Sequence, residues 1–217
     1  MQYNTVSGLG GGAVNALFLS SLSKGHEIEA ISNMEDFWIS ASQSKLYQNW
    51  WGGIAAGIVA KEGIYDSSPL KDFIQNKFDG VEEIKRKFNM GIVDLVKGSY
   101  MNFNEANITD NGNMVHALYA SFSKPGYFPP VEAFGSRWFS GDAIYDLDLY
   151  SIINDCIETH DEGDIVIDVL LTSSAKLREV DAHNFTSLQM LRRYMEITSY
   201  YYAMDGLLRA KFAFPRV

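Results

Sequence analysis

Four of the five residues Gly8-Leu9-Gly10-Gly11-Gly12 are glycine, and the two sides of this run differ in kind. Before it, Tyr3 to Val6 reads as a short strand. After it, Val14, Leu17, Phe18 and Leu22 recur on one helical face, with Lys24 as a last-turn cation and Gly25 as a C-terminal stop. A strand that becomes a helix within five residues needs backbone angles that side chains resist and glycine does not. The run therefore predicts a strand, a tight turn and a helix, with the helix packed on a sheet.

The remaining pattern extends that layering. Met34 to Lys61 reads as one or two helices broken at Gly52-Gly53, and Ser68-Pro69 reads as an N-cap and first-turn proline opening another helix. Two apolar runs between Met90 and Phe103, joined at Lys97-Gly98, suggest a hairpin. Asn104 to Asn113 is a polar loop, and Met114 to Phe122 a short helix stopped by Lys124-Pro125-Gly126. Leu147 to Glu158 reads as helix and Asp164 to Leu171 as a buried strand. Thr186 to Ala210 reads as a long amphipathic helix with Leu188, Leu191, Met195 and Tyr202 on one stripe. Helices separating short apolar strands predict a layered α/β fold. With 217 residues, 47% of them apolar, one domain spanning residues 1–217 is expected.

Eighteen Lys and Arg against 27 Asp and Glu give a net charge of −9, which argues against a chain whose main work is gripping nucleic acid or an anionic membrane by bulk charge and leaves room for a local basic patch. Cys156 is the sole cysteine, so no intrachain disulfide forms, no multi-cysteine zinc site can be built, and a reducing compartment is the simpler reading. The N-terminal residues lack a basic stretch followed by an apolar one. Gly52 to Ala60, the most apolar stretch, is about half of what a spanning helix needs. The expectation is an intracellular protein, soluble or complex-associated, without a transmembrane segment. Asn107-Ile108-Thr109 and Asn184-Phe185-Thr186 are read as chance matches to the glycosylation pattern.

A glycine turn at a helix N-terminus can cradle phosphate. Here Ala13-Val14 stands where a P-loop needs Lys-Ser/Thr, and the glycine spacing departs from the dinucleotide fingerprint. No cofactor and no metal is expected. The turn fits another template, the nucleophile elbow G-x-S-x-G, in which a strained strand-to-helix turn lifts a serine above the sheet edge. Gly8, Gly10 and Gly12 occupy the template's first, third and fifth positions.

Val6 to Ala16 resembles the elbow of the patatin-like phospholipases, whose pattern runs roughly SGxSxGAxNA. Two further segments resemble that family in its order. Ala120-Ser-Phe-Ser-Lys-Pro-Gly-Tyr-Phe-Pro-Pro130 is similar to its ASxAxPGxFPP stretch, and Phe139-Ser-Gly-Asp-Ala-Ile-Tyr-Asp-Leu-Asp-Leu149 to its DGG stretch. The resemblance implies a three-layer α/β/α fold with a mainly parallel central sheet, apparently shortened at both ends. It also implies a serine and aspartate dyad for acyl-ester hydrolysis, in which the aspartate takes the serine's proton. In this sequence Gly10 stands at the serine position, and Ser140, followed by Gly141 and Asp142, stands at the aspartate position. The family's glycine-rich oxyanion loop lies on an earlier strand, for which the sequence offers no counterpart.

Other residues carry weaker signals. Ser7 lies on the strand before the elbow and is expected to point away from the nucleophile position. Asp142, Asp146 and Asp148 flank the lost acid and suit caps or solvent. His26, His116, His160 and His183 show no metal-ligand spacing, and acids around His160 read as a solvated turn. Trp50-Trp51 and Tyr200 to Tyr202 suit a core or a partner surface. The expectation is a catalytically inactive patatin-like protein, a structural or binding subunit of an assembly of protein chains. The alternatives are an acyl hydrolase with an unrecognised nucleophile, or a module that holds lipid in a vestigial pocket without turnover.

Overall fold

Strand, glycine turn and helix follow one another at the N-terminus as the glycine run requires. In the computed structural model, which describes residues 2–81, 83–108, 111–171 and 176–217, Thr5–Gly8 form β1 and Gly11–Ser20 form α1. The turn closes with Gly12 N–H on the Leu9 carbonyl at 2.9 Å and Ala13 N–H on Gly10 at 3.1 Å. The chain divides into two compact units, Met1–Ile144 and Tyr145–Val217.

In the first unit, α2 (Glu27–Gln43), α3 (Gly53–Ala60) and α4 (Ser68–Phe78) follow α1. Then come β2 (Lys87–Asp94), β3 (Ser99–Asn104), α5 (Asn111–Phe122), β4 (Val131–Ala133) and β5 (Ser136–Ser140). The proline-opened helix starts as expected, with Ser67 rather than Ser68 in the capping position. Thr109 of the first glycosylation match, within the expected polar loop, lies outside the described residues.

The fold is α/β. The expected parallel pairing is that of β1 with β2, in register from Thr5–Lys87 to Gly8–Met90, with the helices α1 to α4 in the crossover. The other described ladders, β2–β3, β2–β5 and β4–β5, are antiparallel. Two of these are hairpins, whose short turns leave no length for a parallel crossover.

One face of the sheet, formed by Val6, Phe88, Met90, Ile92 and Phe103, packs on Val14 and Leu17 of α1 and Met114 and Leu118 of α5. Outside α1, the rings of Phe18, Phe37 and Phe78 meet at centroid separations of 4.6–5.9 Å. Arg86, buried just before β2, ties this layer to the N-terminus. Its guanidinium donates to the carbonyls of Tyr3, Leu22 and Ser23 and pairs with Glu27 at 2.8 Å.

The second unit holds α6 (Leu149–Ile157) and α7 (Ser187–Ala213). Asp148 caps α6 through Ser151, and Thr186 with Gln189 forms a capping box on α7. Two expectations need correction here. Residues 165–171 carry no strand: Val166 is 79% exposed and Leu170 90%, because an apolar β-branched run becomes a strand only where a neighbour pairs with it. The α7 helix forms, but Leu188, Leu191, Met195 and Tyr202 are exposed, and Ala203 and Ala210 are its buried residues. The nine-residue α6 is too short to cover a helix of 27 residues.

Candidate functional site

The register of β2 brings two of the sequence's motifs to one point. Strand β1 runs parallel to β2 and ends with Gly8 opposite Met90, while β5 runs antiparallel on the same edge and ends with Ser140 opposite Ile92. The two strands approach head-on, and both chains leave the sheet at Gly91. Gly8-Leu9-Gly10 turns into α1, and Ser140-Gly141-Asp142 turns into a short 3-10 segment.

Four glycines at this junction, Gly8, Gly10, Gly91 and Gly141, have a steric or conformational reason. A Cβ on Gly8 would lie 2.1 Å from the Gly12 carbonyl oxygen, so the turn cannot close around a larger residue. A Cβ on Gly141 would lie 2.5 Å from the Gly91 carbonyl oxygen, so the two backbones touch. On Gly91 the missing side chain leaves room that the Tyr100 hydroxyl and the Leu9 side chain fill. Gly10 sits at φ 54° and ψ −122°, a strained conformation for any L side chain, and it retains the sharp turn of a nucleophile elbow. Gly12 has open space about it, so its presence has no steric cause in this structure.

The end of α5 holds both turns. Gly10 N–H donates to the Ser121 hydroxyl at 2.9 Å, and Ser140 N–H donates to the Ser123 carbonyl at 3.1 Å. Ser121, Ser123 and Ser140 are all buried. Asp142 faces Lys124 at 3.4 Å, with its other carboxylate oxygen buried and unbonded. In the sequence Ser121 stands within the Ala120 to Pro130 stretch with no role of its own. The available signal was its place in the last helical turn before Pro125, and its partner was visible only in three dimensions.

The other singled-out residues occupy other positions in the described chain. Ser7 is in β1 opposite Asn89. Asp146 and Asp148 lie in the second unit, where Asp148 is a helix cap. His26 faces Glu29, His116 the Gly112 carbonyl and His160 the Thr159 hydroxyl. Among the described residues no three His, Cys, Asp or Glu side chains group to hold a metal ion, and no helix is long and apolar enough to cross a membrane.

A buried carboxyl, Asp94, and a half-buried phenol, Tyr119, illustrate how charge is handled. Burial opposes ionisation of Asp94. The Lys97 N–H, the Ser136 hydroxyl, the Val96 N–H and the Lys97 ammonium outweigh it and hold the carboxyl below its usual range. Burial raises the Tyr119 phenol, against the opposing hydrogen bond with Ser67. A cavity of about 550 Å³ lies elsewhere, with Phe18, Phe37 and Val81 as apolar walls and Lys77 and Lys85 at its edge, and none of its residues belongs to the elbow or the Ser140 turn.

A sharp glycine turn and a second turn thus meet at one edge of an α/β sheet. The chain belongs to the patatin-like phospholipase family, whose model matches residues 2–147. No curated protein matches the chain significantly.

Proposed function

We propose that this patatin-like protein has no hydrolytic activity and serves as a structural or binding subunit of a larger intracellular protein assembly. The observation that carries the reading is Gly10, which keeps the elbow's turn and has no side chain to attack an ester. Acyl transfer needs a nucleophile, a base and oxyanion donors held together. At the positions of the family's dyad this chain offers hydrogen and the Ser140 hydroxyl, and a hydroxyl is no general base near neutral pH.

For a reading in which another serine takes over, one candidate is Ser121, whose hydroxyl is hydrogen-bonded to the elbow turn at Gly10. That oxygen is buried and accepts the Gly10 N–H, which favours a role in holding the turn. The packing of Leu9 and Tyr100 over Gly91 supports a scaffold over an open acyl site. The exposed apolar residues of α7 and of residues 165–171 favour a chain that partners cover.

The test is hydrolysis of a nitrophenyl acyl ester by the purified chain. Turnover equal to a heat-denatured control is expected, and turnover above it that a Ser121→Ala exchange abolishes would establish the hydrolase reading instead. Size-exclusion chromatography addresses the subunit half. Self-association or loss of the chain when alone is expected, whereas a sharp monomer peak with a cooperative melt would contradict it.

A further inference from the structure

From Trp51 to Ala60 the side chains offer one hydrogen-bonding group, the Trp51 indole N–H, and no charge. A helix that is apolar all round belongs in a core or in lipid. Helix α3 is in no core. Gly57 is its one buried residue, Ile54 and Ile58 are exposed, Val59 is 85% exposed, and Trp51, just before the helix, is 99% exposed.

This exposure is held in place by the residues beneath. A Cβ on Gly57 would come within 2.3 Å of the Ile64 carbonyl oxygen, so the helix lies backbone to backbone on that segment. The segment is fixed in turn by Ile64 N–H on the Gly126 carbonyl, Tyr65 N–H on the Tyr127 carbonyl, and Trp50 Nε1–H on the Gly63 carbonyl. The apolar face is thus a built platform.

Its chemistry selects the occupant. A protein interface carries about one hydrogen bond per 100–200 Å², and this run has a single donor to offer. Acyl chains ask for none. Trp51 at one end suits the headgroup boundary, where indoles concentrate. At the other end Lys61 is exposed, its ammonium 5.0 Å from the Trp50 ring centroid. The acids that follow are engaged within the protein: Glu62 pairs with Arg137, and Asp66 accepts from Gln48 and from Ser68 N–H. The charge left beside the apolar face is cationic, in a chain whose net charge is −9. Eight helical residues span about 12 Å, against about 30 Å of bilayer hydrocarbon, so the element lies in the interface rather than crossing it.

We propose that Trp51 and α3 form a docking wedge for an anionic lipid surface, inserted as far as the headgroup–acyl boundary. The wedge does not depend on whether the elbow is catalytic.

The test is co-sedimentation of the full chain with phosphatidylcholine vesicles, with and without phosphatidylserine, together with quenching of tryptophan fluorescence by brominated lipid. Binding that is stronger with phosphatidylserine, and quenching, are expected. The exposed pair Ile58→Asp with Val59→Asp should lower partitioning at least about tenfold with little change in melting temperature, and Lys61→Glu should remove the phosphatidylserine preference. Absence of vesicle binding or of quenching in the unaltered chain overturns the proposal without recourse to any variant. Undiminished binding by the Ile58/Val59 variant overturns it also. A dimer in light scattering that the same exchange dissolves would assign the face to a second copy and likewise overturn it.

Discussion

Gly8 and Ser140 occupy the same edge of β2 two residues apart, opposite Met90 and Ile92, at the ends of strands that run toward each other. Their meeting point is Gly91, against whose carbonyl Gly141 packs without room for a methyl group. Gly141→Ala should therefore destabilise the protein by at least about 2 kcal/mol, since backbone lies on both sides of the contact. Urea denaturation measures this, and a change under about 0.5 kcal/mol would mean that the two strands can separate at low cost.

Gly10 and Gly12 give opposite results by the same geometry. Gly10 has space for a methyl group, with the Ser121 carbonyl oxygen 3.8 Å away, but its φ of 54° penalises one. Gly10→Ala should cost about 1–3 kcal/mol through backbone strain alone. Gly12, in α1 with a clear surround, should accept alanine with unchanged or slightly raised stability. Paired thermal melts check the contrast.

Arg86 links Tyr3, Leu22, Ser23 and Glu27 through one buried guanidinium. Arg86→Met would leave three carbonyls without that donor, and a loss of about 3 kcal/mol or more is expected. Arg86→Lys should recover only part of it, because an ammonium cannot span the same fork of acceptors. Denaturation midpoints of the two variants rank the effect.

The Asp94 carboxyl is held below its usual range by its donors in spite of burial. Its folded pKa is depressed, so the stability it contributes is present above the ordinary aspartate value of about 3.9 and is lost as pH falls through the lower folded value. Asp94→Asn should be less stable than the unaltered chain at neutral pH, and the difference should shrink as pH is lowered. A difference constant with pH would show that the carboxylate's charge is not what its donors recognise.

Local signals were legible in the sequence. The glycine turn, the proline-opened α4, the β2–β3 hairpin and the start of α7 each depend on a few neighbouring residues, and each forms within a few residues of its expected place. Residues 165–171 went wrong for the opposite reason: their apolar, β-branched pattern states a preference for pairing but not whether a partner strand is present. Helix α2 starts at Glu27, seven residues before the expected start at Met34. At the site, the elbow and the Ser140 motif were readable as segments. That Gly10 and Ser140 face each other is what the resemblance implies; that their strands end at Gly91 is legible only in the register, where β1 and β5 share one edge of β2 from opposite directions.

On the proposed reading no serine in this chain is an activated nucleophile. Incubating the full, folded chain with a fluorophosphonate probe and mapping adducts by mass spectrometry tests it most directly, since the probe reports an activated hydroxyl whatever its natural substrate. No adduct above that of the heat-denatured chain is expected. A stoichiometric adduct on Ser121, Ser140 or any other serine of the folded protein, absent after denaturation, would contradict it.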